Sequence, residues 1–181
     1  MHLTKPQAAT LQLNTAIQLF FEQRDPVSVR TLVGAASRVF ADLVEHRRPG
    51  KSWRGDIATS IPQLPPREVY RIIDKTQNFL KHADEDPDGV EDFAEEENEA
   101  LIFVSCLECG ELEEPKSYEM QAFEIWYMAA HPESFGSENS AAVDALTILP
   151  NLHTLSRAEM IAEGAQFLVT HRNIREAEGA V

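Results

Sequence analysis

Cysteine is scarce in this 181-residue chain, which holds only Cys106 and Cys109. That excludes a disulfide framework. With no second cysteine pair, it also leaves a zinc site without its remaining ligands. Long apolar runs are missing too. The start, Met1-His2-Leu3-Thr4-Lys5-Pro6, has no signal segment, and no stretch approaches the ~20 residues of a membrane span. A cytoplasmic protein without membrane contact is expected. Strand-like alternation is absent, which leaves helices. Cations run short after residue 81: residues 1–81 hold 12 Lys and Arg against 7 Asp and Glu, and residues 82–181 hold 4 against 23. The formal net charge of -14 disfavours general nucleic-acid binding, since phosphate contact needs clustered cations. An anionic ligand would be sought on the first half, and a cation or basic partner on the second.

Helical periodicity fills most of the remainder. A first helix is expected over residues 5–23, with Thr4 and Gln7 at capping-box spacing. Asp25-Pro26 restarts the chain into a second helix that runs to residue 47. Within it, Gly34-Ala35-Ala36-Ser37 is a small-residue patch that lets a neighbour approach closely. A third helix over residues 66–83 places Val69, Ile72, Ile73, Thr76, Phe79, Leu80 and Ala83 on one face. An almost wholly apolar helix follows over 94–110. Further helices are expected over 118–130 and 139–149, and a last one after the Ser156/Glu159 capping box. The chain turns polar from Arg172, and 172–181 reads as a loose tail. The fold class is therefore all-α, a single-domain bundle (residues 1–171) of six to seven helices.

Three stretches carry chemistry. On the helix over 66–83, Arg71, Lys75, Asn78 and His82 form one polar strip at helical spacing, close enough to share a ligand. The acidic loop 84–93 begins a run that satisfies the calcium-loop pattern D-x-D-x-D-G-x5-E across 84–95. Oxygen ligands would come from Asp84, Asp86, Asp88, the Val90 carbonyl, Asp92 and Glu95, with Gly89 at the turn. Its eighth position is Glu91 where an aliphatic residue is usual, and the chain has no second loop to pair with. Residues 48–65 read as a long basic loop broken by Pro49, Gly50, Gly55, Pro62 and Pro65. There Arg47, Arg48, Lys51 and Arg54 surround Trp53, a combination that could bind phosphate and stack a base. Cys106-Leu107-Glu108-Cys109 is a C-x-x-C late in an apolar, acid-flanked helix, and reads as a pair of core thiols rather than a redox site.

The run Asn78-Phe79-Leu80-Lys81-His82, near the end of an inner helix of an all-α chain, loosely resembles the HEPN superfamily over residues 5–110. That resemblance implies a helical bundle, often dimeric, found in toxin, abortive-infection and RNA-processing proteins. It implies His82 as acid/base, Lys75 and Arg71 on phosphate and Asn78 as orienter of a metal-independent ribonuclease. The arginine of the family motif is replaced by Lys75, with six residues between it and His82. The segment 14–43 also looks like uncharacterised bacterial helical proteins, a likeness that brings no activity. The leading reading is a non-catalytic interaction or regulatory protein, a homo-oligomer through its small-residue or aromatic helix faces or a binder of another protein. The HEPN-like RNA-cleaving or RNA-binding reading is the alternative, and calcium binding through 84–95 is the second. No cofactor is expected, calcium being the one exception the sequence offers.

Overall fold

The computed structural model describes residues 2–179, with side chains from 2 to 177. Among the described residues the chain is all helical. The order is α1 (Lys5–Phe21), α2 (Pro26–Arg47), α3 (Trp53–Thr59), α4 (Pro66–Phe79), α5 (Glu97–Glu111), α6 (Tyr118–Ala130), α7 (Ser140–Ile148) and α8 (Arg157–Gly179). Short 3-10 turns at Pro132–Ser134 and Leu152–Thr154 flank α7. No helix of the described residues is long and apolar enough to cross a membrane.

Helix starts follow the local cap chemistry. Thr4 and Gln7 exchange their capping-box bonds at 3.3 and 3.0 Å. The Asp25 carboxylate accepts from the Ser28 N–H at 2.9 Å, with Pro26 opening α2. Asn139 caps α7 and the Ser156/Glu159 box starts α8. The α1–α2 turn closes through Gln23, held in the left-handed region at φ 51°.

α1 packs along α2, α2 along α5, and α6 meets α1 and α5. These four helices enclose the core around Leu13, Ile17, Phe40, Ile102, Met120 and Phe123. Aromatic rings dominate one end: Phe20 and Phe21 meet Trp126 edge-on, with centroids 5.3 and 5.5 Å away. α7 and α8 cover α6 from outside. α8 closes in because Gly164 lies against Phe21 and Trp126, whose indole N–H donates to the Met160 carbonyl at 2.7 Å. α3 and α4 form a separate arm resting on α2 and α5. At its crossing the Gln77 amide sits where a Cβ on Gly34 would lie, 2.0 Å from that position. With its amide assigned so that both groups are satisfied, Gln77 donates to the Arg30 carbonyl at 3.0 Å and accepts from Lys81 Nζ at 2.9 Å.

Four expectations change. Residues 48–65 are not structureless: they contain α3, which brings the described residues to eight α-helices where six to seven were expected. α4 stops at Phe79, so His82 lies in a following turn rather than in the helix. Ile72, expected on the buried face, is 54% exposed. The expected tail is helical as far as Gly179, with Arg172 bonded to Glu119 at 2.5 Å; residues 180–181 lie outside the described residues. The almost wholly apolar helix expected over 94–110 is α5, which packs on α1, α2, α3 and α6. The two faces considered for self-association are used within the chain. The small-residue patch receives α4, and the aromatic face of α6 is buried.

Candidate functional site

The polar strip and the acidic loop, separate in sequence, form one place. Arg71, Lys75, Asn78 and His82 line a hollow of about 450 Å³ whose far wall is Glu85, Asp86, Gly89 and Glu91. The cations there are already matched. Lys75 Nζ meets the Glu91 carboxylate at 2.8 Å, which raises the lysine's pKa through that hydrogen bond and its charge. Arg71 bonds Glu68 one turn back on α4 at 2.5 Å. Asn78 and His82 are exposed. No hydrogen bond from another described side chain orients the His82 ring, and general acid/base chemistry depends on such orientation.

The calcium-pattern oxygens are not drawn together. Asp84, Asp86, Asp88, Val90 and Asp92 are exposed, and a backbone bond from the Gly89 N–H to the Asp86 carbonyl at 2.8 Å closes the turn. Glu95, which would close the site, accepts instead from Arg157 of α8 at 3.0 Å. Among the described residues no three His, Cys, Asp or Glu side chains are grouped to hold a metal ion.

The basic residues of 47–54 are also dispersed. Arg47 meets Glu114 at 3.2 Å, and Arg48 meets the Glu111 carboxylate at 3.0 Å and its carbonyl at 2.8 Å. Trp53 and Lys51 stay exposed. Arg54 turns inward, bonded to Asp74 and stacked 5.2 Å from the Tyr70 ring centroid. What holds this segment is Glu108 of α5, 0% exposed. Its Oε1 accepts from the Ser52 hydroxyl at 2.8 Å and the Arg54 N–H at 2.9 Å, at the start of α3. Its Oε2 has no partner, and burial raises the carboxyl's pKa. The neighbouring thiols are inert in the same way. Cys106 and Cys109 are free and buried, and desolvation pushes Cys109 up to about 11 and Cys106 well above its ordinary value.

The most distinctive site lies where α2, α3, α4 and α5 meet. Ile57, Ile72, Ile73, Leu101 and Val104 wall an open groove of about 250 Å³. Arg30 of α2 lines it while only 4% exposed. Its guanidinium carries five N–H donors. One reaches the Ile73 carbonyl at 3.4 Å, and Glu97 stands off at 3.6 Å. Its Nε has no partner. Burial lowers the arginine's pKa, against the opposing pull of Glu97, Asp74 and Glu91. Taking a cation out of water costs several kcal/mol unless a well-aligned partner compensates, and these contacts are long. Sequence reading missed this residue because a lone arginine on a helix is ordinarily solvated. A signal was present: Arg30 stands three residues before Val33 and seven before Ser37, on the buried stripe of α2.

No protein-family model matches this chain, and searches of the curated proteins and of the solved structures likewise return no match.

Proposed function

We propose that this is a non-catalytic binding protein of regulatory type, with the groove between α2, α3, α4 and α5 as its binding surface. One observation carries the reading: a buried arginine with long, incomplete hydrogen bonding lines an apolar recess that opens to solvent beside the exposed Ile72. Apolar clefts with a few convergent polar groups are the usual form of a ligand site. The direct test is methyl NMR of the isoleucine, leucine and valine side chains during titration with 1-octanol, a neutral apolar probe. Saturable shifts confined to the groove methyls, abolished by the groove-filling Val104→Trp, support the reading. An unchanged titration in Val104→Trp refutes it.

A second reading rests on the hollow beside α4. Its four polar residues share one surface, as the HEPN-like alternative requires, so an RNA-binding or RNA-cleaving role belongs there, with His82 as acid/base. The ion pairs Lys75–Glu91 and Arg71–Glu68 weigh against it, since RNA must displace carboxylates to reach either cation. RNA cleavage that is lost in His82→Ala, with the fold intact, would establish it over the binding-protein reading.

A further inference from the structure

We infer that the groove takes a small amphipathic carboxylate, its apolar chain against Ile57, Ile72, Leu101 and Val104 and its carboxylate on the guanidinium of Arg30. The inference rests on the proposal that this groove is the binding surface, and adds the chemistry of the ligand.

Three features point to that class. The first is the donor set. Arg30 has one neutral acceptor at 3.4 Å, a carboxylate at 3.6 Å and an orphaned buried Nε. The enclosed Nε leaves the guanidinium under-satisfied, and the Nη1 donors that face Glu97 are not hydrogen-bonded to it; a carboxylate is the acceptor that matches such donors. The second is the competitor. The Glu97 side chain is 56% exposed and beyond hydrogen-bonding distance of the guanidinium, so it can turn to solvent when an anion arrives. The neighbouring Arg54 is already bonded to Asp74 and offers no equivalent vacancy. The third is size. About 250 Å³ falls below the usual range for drug-sized ligands, and a folded peptide partner would need far more contact area. A chain of several carbons ending in one carboxylate fits these limits. Desolvation of Arg30 supports the same direction, because a bound carboxylate adds a hydrogen-bonded countercharge where Glu97 stands at 3.6 Å.

The test compares octanoate, 1-octanol and octylamine on the full chain by methyl NMR and calorimetry. Octanoate is expected to bind at the groove on the order of tenfold or more tightly than octanol, the effect of a charge-assisted hydrogen bond, and octylamine more weakly than either. Arg30→Met should abolish the advantage of octanoate over octanol. Glu97→Gln, on an exposed side chain, keeps the test valid if Arg30→Met does not fold: it should raise the affinity of octanoate relative to octanol, and an unchanged ratio would overturn the inference. If octanol binds the groove and octanoate gains nothing over it, the carboxylate inference fails while the groove reading stands. If no probe shifts the groove methyls, both fail.

Discussion

Gly164→Ala is a substitution for which two physical effects oppose each other and the structure decides the sign. Gly164 lies inside α8. In an open helix, glycine to alanine stabilises by about 1 kcal/mol, because alanine loses less backbone entropy on folding. Here the new methyl would sit 2.3 Å from Phe21 Cε1 and 2.7 and 2.8 Å from the Trp126 ring. Neither ring has room to retreat: Phe21 and Trp126 are buried, they pack edge-on against each other, and the indole is tied to the Met160 carbonyl. Overpacking of such a core typically costs about 1–3 kcal/mol and at times more. With helix propensity offsetting about 1 kcal/mol of a cost at the upper end, the net loss should be about 1–2 kcal/mol. For a domain of this length each kcal/mol moves Tm by roughly 2–4 °C. Thermal and urea unfolding followed by circular dichroism should therefore show Gly164→Ala melting several degrees below the parent. A rise in Tm would mean that α8 does not close on the Phe21–Trp126 pair, and the packing described for that side of the bundle would be wrong.

Other outcomes follow from buried groups. The thiols should resist a disulfide reagent in the native protein and react fully only in denaturant. Because Cys109 ionises at about 11 when folded and near about 8.5 when unfolded, the unfolded state binds fewer protons between those values. Stability should then fall as pH climbs through that window, and Cys109→Ala should flatten the fall. Burial also raises the Glu108 carboxyl, so the native state holds that proton more tightly than the unfolded chain. Its contribution is most favourable at acid pH and is lost as pH rises past the ordinary carboxylate value of about 4.3. Glu108→Gln keeps an acceptor for Ser52 and Arg54. It should gain on the parent as pH rises above the ordinary carboxylate range, read from urea titrations at each pH. A melt in millimolar calcium should match one in EDTA, since Glu95 is held by Arg157. A calcium-specific rise that disappears in Glu95→Gln would make residues 84–95 a metal site instead.

The parts of the fold that are written locally could be read from the chain. The Thr4/Gln7 and Ser156/Glu159 boxes and the Asp25-Pro26 restart are each complete within about four residues, and each opens a helix in the structure. α3 could not be read this way. Its seven residues are too few to be stable alone, and they hold because Glu108, more than fifty positions later, accepts from their start. The same distance hides the role of Arg54, which a basic stretch suggests for phosphate and Asp74 draws inside. The strip on α4 was legible as a shared surface. Its pairing with the acidic loop was not, because periodicity says nothing of which loop folds back. Arg30 is the sharpest case. Hydropathy assigns an arginine to water; its register on the buried stripe of α2 points the other way, and the position of α4 across Gly34 shows what encloses it.

The groove is tested most directly by the methyl spectrum of the labelled protein as octanoate is added. The account predicts saturable shifts at Ile57, Ile72, Ile73, Leu101 and Val104, the isoleucine, leucine and valine residues that line the same recess as Arg30. Shifts that are absent there, or that centre on the hollow around Lys75 and His82, would contradict it.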